Sequence, residues 1–106
     1  MVYIDIKRRL YALDRATGTR EWSVEKRSLK SLKDGTAYIT NDGNLYALNT
    51  STGSKEWSFE PNHRISSTTV EDEAVYVSLT NSDILMEESD FFITLYALDP
   101  ATGVKK

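Results

Sequence analysis

A chain of 106 residues with 13 basic and 16 acidic side chains has a formal net charge of −3, which leaves no cationic excess to neutralise a phosphate backbone and excludes nucleic acid as a partner. It contains no cysteine, so disulfide staples, thiolate catalysis and Cys-based zinc or iron–sulfur sites are ruled out. Apolar residues at 40% and charged residues at 27% describe a folded domain rather than a disordered tail, and no stretch approaches the roughly 20 apolar residues of a membrane span.

Taken in order, the chain reads as strands. Val2, Ile4 and Ile6 alternate with Tyr3, Asp5 and Lys7, the period of two that marks a strand rather than an export signal. Leu10-Tyr11-Ala12-Leu13-Asp14 continues the pattern, Thr17-Gly18 interrupts it, and Glu21-Trp22-Ser23 opens a third strand. A second unit has strands near Leu29–Leu32, Thr36–Thr40, Leu45–Asn49 and Lys55–Glu60. Its turn dipeptides Asp34-Gly35 and Asp42-Gly43 supply the positive-φ glycine of a tight hairpin. A third unit follows near Ser66–Val70, Val75–Leu79 and Ile93–Leu98.

The units repeat. Leu10–Asp14 returns as Leu45-Tyr46-Ala47-Leu48-Asn49 and again as Leu95-Tyr96-Ala97-Leu98-Asp99. Each copy is followed by Thr-Gly, ending at Gly18, Gly53 and Gly103, and the first two continue into Glu-Trp-Ser around Trp22 and Trp57. The last spacing is lengthened by an insertion over about 81–91. Four antiparallel strands repeated at roughly 40 residues make the blade of a β-propeller. The expected fold is therefore all-β, an incomplete propeller of about two and a half blades in one domain: 1–27 without its first strand, 28–62 complete, and 63–106 without its last. The architecture is WD40-like, but each tryptophan is followed by serine and no Gly-His precedes it, so the WD40 signatures are missing.

The run Leu-Tyr-Ala-Leu-Asp, then Ala-Thr-Gly, then Glu-Trp, with Ser66-Ser67 ahead of the next strand, resembles the PQQ-like (quinoprotein) repeat. The resemblance covers nearly the whole chain apart from the insertion. It implies a propeller found both in quinoprotein alcohol dehydrogenases and in cofactor-free relatives. It also implies that Trp22 and Trp57, with Tyr11, Tyr46, Tyr96, Gly18, Gly53 and Gly103, are structural residues of the repeat, the indoles packing between neighbouring blades. Each indole buries ~200 Å², an upper-bound gain of about 5 kcal/mol. Members of the family are mostly extracytoplasmic.

Catalytic chemistry is not expected of this chain. The quinoprotein dehydrogenases use a tryptophan over the quinone, calcium ligands, a catalytic aspartate and often vicinal cysteines. Cysteines are absent here and no Asp or Glu matches a ligand position, so neither cofactor nor metal is expected. His63 is the single histidine and lacks the companions of a zinc site or a triad. Asn41-Asp42-Gly43-Asn44 suits a hairpin; an EF-hand loop would end in glutamate, where Thr52 stands. The insertion offers Ile84, Leu85, Met86, Glu87 and Glu88 as a candidate partner loop, because loops rather than strands carry binding in such folds. The expected role is a non-catalytic scaffold or sensor module that holds a protein partner or self-associates through its incomplete blades. The alternative is a piece of a quinoprotein dehydrogenase whose active-site residues lie elsewhere.

Overall fold

The computed structural model describes residues 1–80 and 93–106, and these form ten strands and no helix. Sheet 1 contains β1 (Val2–Ile6), β2 (Arg9–Leu13) and β3 (Arg20–Glu25) in that order. Sheet 2 contains β4 (Ser28–Lys33), β5 (Thr36–Asn41), β6 (Asn44–Asn49) and β7 (Lys55–Phe59). Sheet 3 contains β8 (Arg64–Val70), β9 (Val75–Thr80) and β10 (Ile93–Leu98). All pairings are antiparallel between strands consecutive in the chain, and every strand expected from the sequence is present. The segment 81–92, which includes the candidate partner loop Ile84–Glu88, lies outside the described residues.

Local chemistry sets the turns. Asp34 and Asp42 sit at φ 52° and Gly35 and Gly43 at φ 81°, the paired left-handed positions of a type I′ hairpin. In sheet 1 the equivalent turn places Lys7 at φ 47°. A β-bulge in β3 leaves Glu21 unpaired, so Ala12 faces Trp22 while Leu13 faces Arg20. The same bulge in β7 skips Glu56, with Ala47 facing Trp57 and Leu48 facing Lys55. Ordinary alternation puts Trp22 on the face of Val24 opposite the small Ala12, and Trp57 on the face of Phe59 opposite Ala47; the bulge displaces only the pairing that precedes each tryptophan in β3 and β7.

The sheets stack in sequence. Leu10, Tyr3, Trp22 and Val24 of sheet 1 pack on Ala37, Ile39, Leu48 and Tyr46 of sheet 2. Tyr38, Leu45, Ala47 and Trp57, on the opposite face of sheet 2, pack on Val75, Val77, Leu79 and Leu98 of sheet 3. Each sheet thus has a forward face toward the next sheet and a rear face toward the one before. Because both faces of sheet 2 are covered, four consecutive residues of β5, Ala37–Thr40, are buried, where a sheet with one wet face would alternate. Sheets 2 and 3 approach closest at β4 and β8. Lys33 and Asp72 are bridged at 2.9 Å near that edge.

The stack is open. Its Cα radius of gyration is 15.3 Å and its extents are 55 × 29 × 17 Å, against roughly 13 Å for a compact domain of this length. The rear face of sheet 1 and the forward face of sheet 3 have no neighbour among the described residues.

Candidate interaction surfaces

The repeat residues form the joints between sheets. Trp22 reaches forward to the turn after β6, where its indole Nε1 donates to the Thr50 carbonyl at 3.0 Å. Tyr3 donates to the same oxygen at 3.2 Å and lies 6.0 Å from the Trp22 ring. The ring covers Gly53, where a Cβ would lie 2.6 Å from Trp22 Cδ2. At the next joint Trp57 Nε1 donates to the Pro100 carbonyl at 2.7 Å, its ring covers Gly103, and Tyr38 stands 6.0 Å away. Gly53 and Gly103 have φ of +77° and +75°, so both backbone and space demand glycine. Gly18 has the same conformation, φ +73°, yet nothing lies within 4 Å of its Cβ position.

These turns are held by the residue that ends each pentapeptide. Asp14 Oδ1 accepts from the Ala16 and Thr17 amides at 2.8 and 3.0 Å, Asn49 Oδ1 from Ser51 at 2.8 Å, and Asp99 Oδ1 from Ala101 at 2.8 Å. Hydrogen bonds from the Thr17 and Ala16 amides hold the Asp14 carboxyl below its usual range.

The tyrosines of the Leu-Tyr-Ala-Leu runs lie on the rear faces. Tyr46 takes the Lys55 ammonium 4.2 Å above its ring, and Tyr96 takes Lys105 at the same distance while meeting Phe59 edge-on. Tyr11 holds the corresponding position on the open rear face of sheet 1, with Val2, Ile4, Ile6 and Leu13 around it. On the open forward face of sheet 3, Tyr76 and Leu95 are 50% and 76% exposed, whereas Tyr38 and Leu45 at the same repeat positions are 3% and 0%.

A cationic groove lies at the hairpin-turn end of sheets 1 and 2. It encloses about 530 Å³ and is lined by Arg8, Arg9, Glu25, Lys26, Arg27, Asn41, Asp42 and Gly43. Lys26 is buried and committed: it pairs with Asp5 and donates to the Lys7 carbonyl at 2.8 Å. Arg8, Arg9 and Arg27 carry no ion pair among the described residues. The net acidity of the chain masks this groove at the level of composition. Its signal is the Lys7-Arg8-Arg9 and Lys26-Arg27 runs, which fall at the same end of the first unit. His63 is exposed on the connection between β7 and β8, apart from this cluster. Among the described residues no three His, Asp or Glu side chains converge as a metal site, and no helix is long and apolar enough to cross a membrane.

Residues 6–106 match the PQQ-like family described as "Outer membrane protein assembly factor BamB". A europium-containing methanol dehydrogenase has a similar structure, with a TM-score of 0.67 and 18% identity over 97% of this chain and 22% of that one. BamB from Moraxella catarrhalis is also similar, with a TM-score of 0.57 and 19% identity over 93% of this chain and 30% of that one. The chain therefore spans less than a third of the length of these structures, and at such identities the likeness concerns the fold. No curated protein matches the sequence.

Proposed function

From the chain's membership of the PQQ-like repeat family described as outer membrane protein assembly factor BamB, we propose that it is a non-catalytic propeller module of about two and a half blades that holds a protein partner. Its strands are committed to stacking and its indoles to the joints, which leaves the loop end as the working surface. The observation that carries this reading is the groove containing Arg8, Arg9 and Arg27, three guanidinium groups with no ion pair among the described residues, in a chain of net charge −3. Guanidinium forks favour carboxylates in bidentate geometry, so the partner is an acidic segment rather than an apolar one. The insertion, with Ile84–Met86 beside Glu87 and Glu88, is a second candidate contact. By family likeness the setting is extracytoplasmic.

Fluorescence anisotropy with an extended Glu-rich peptide tests the reading. Binding should weaken with salt, fall at least about tenfold in Arg8→Glu/Arg27→Glu, and be absent for a Lys-rich control. Equal binding of both peptides would contradict it.

The likeness to the europium-containing methanol dehydrogenase over 97% of the chain favours a second reading, a piece of a quinoprotein enzyme. That reading requires saturable binding when pyrroloquinoline quinone is titrated with calcium or europium. No heat or absorbance change in that titration would retire it.

A further inference from the structure

We infer that the forward face of sheet 3 and the rear face of sheet 1 are the two halves of a contact between copies of this chain, stacked head to tail. The inference uses the stacking geometry and not the acidic-partner reading, so either can fail alone.

The argument rests on the two joints already built inside the molecule. At each joint the forward face offers a tyrosine, a leucine and an alanine: Tyr3, Leu10 and Ala12, then Tyr38, Leu45 and Ala47. The rear face that receives them offers small or branched aliphatic residues with a tyrosine and a leucine: Ala37, Ile39, Tyr46 and Leu48, then Val75, Val77, Tyr96 and Leu98. The forward face of sheet 3, which no described residue covers, repeats the first set as Tyr76, Leu95 and Ala97, and the rear face of sheet 1, likewise uncovered among the described residues, repeats the second as Val2, Ile4, Tyr11 and Leu13. One molecule therefore carries both complementary halves, each exposing apolar side chains that its internal copies bury: Leu95 at 76% against 0% for Leu45, and Val2 at 37% against 0% for Ala37.

The polar content of the free forward face does not oppose docking. It forms a groove of about 500 Å³ lined by Ser67, Thr69, Tyr76, Ser78, Leu95 and Ala97 among others. Its serine hydroxyls already bond to one another, Ser66 to Ser78 at 2.7 Å and Ser67 to Ser78 at 2.6 Å, so few donors would be stranded. The joint between copies lacks one element of the internal joints. Both tryptophans, Trp22 and Trp57, are already seated inside the chain, so Gly18 stays uncovered and the contact is weaker than an internal joint.

The contact is heterologous, with different patches on the two molecules, and this gives it a distinctive signature. Sedimentation of the 106-residue chain from about 1 µM to about 1 mM should show mass rising with concentration. Leu95→Glu and Val2→Glu each spoil one face at an exposed position, so both variants should fold and remain monomeric. Mixed together, they should form a one-to-one pair and nothing larger, because each supplies the face the other has lost. A wild-type chain that stays monomeric throughout overturns the inference. So does a variant that still self-associates alone, which would indicate a symmetric contact, or a mixture that does not pair.

Discussion

Leu45 and Leu95 each begin the same Leu-Tyr-Ala-Leu run, on the forward faces of sheets 2 and 3, but only Leu45 is buried. The contrast recurs at Tyr38 and Tyr76, and at the glycines, where Gly53 lies under Trp22 while Gly18 lies under nothing. Sequence equivalence gives these residues the same backbone and the same face. Their energetic weight comes from the neighbouring sheet, and among the described residues the outer faces of sheets 1 and 3 have none. Repeat arrays behave this way because each unit's stability is shared with its neighbours.

Substitutions that remove an interior joint should show the contrast most strongly. Trp57→Ala removes the ring over Gly103 and its bond to the Pro100 carbonyl, and should cost about 3–5 kcal/mol in urea unfolding. A loss below about 1 kcal/mol, the scale of an ordinary surface change, would break the comparison. Next comes the leucine pair: Leu45→Ala should cost about 2–5 kcal/mol and Leu95→Ala no more than about 0.5 kcal/mol. Equal losses would mean that Leu95 is covered in the monomer.

The glycines sharpen the contrast at constant backbone geometry. Gly18→Ala meets only the positive φ, worth about 1–3 kcal/mol. Gly53→Ala and Gly103→Ala add a methyl that collides with an indole, for a further ~1–3 kcal/mol of overpacking. Thermal melts of the three variants should rank Gly18→Ala as the mildest.

The smallest effect concerns pH. The Asp14 carboxyl is depressed in the folded chain by the Thr17 and Ala16 amides, so its stabilising contribution is full above the usual value of 3.8 and is lost as pH falls through the lower folded value. Asp14→Asn should leave neutral-pH stability nearly unchanged, since Asn49 makes the same turn in sheet 2, and should flatten the acid limb below that value. An unchanged acid limb would remove Asp14 from the account.

Much of this fold was legible in the sequence because its signals are local. Period-two alternation, the Asp-Gly hairpins and the recurring Leu-Tyr-Ala-Leu run gave every described strand, and the Glu-Trp step marked the residues that join units. That each indole packs on a turn of an adjacent unit was legible from the family resemblance; which neighbour it takes was not. Trp22 is nearer in sequence to Gly18 but packs on Gly53, a choice made by the stacking direction. The cationic groove escaped for a similar reason: Arg8 and Arg9 at the β1–β2 turn and Arg27 after β3 meet only once β2 pairs with β3.

Ring-current shifts test the central claim, that an indole from one sheet seats on the glycine of the next. In a proton–carbon correlation spectrum, the Gly53 and Gly103 Hα resonances should be displaced upfield and show cross-relaxation to the Trp22 and Trp57 rings, while Gly18 stays near its unstructured position. Three glycines with indistinguishable, undisplaced Hα shifts would contradict the account.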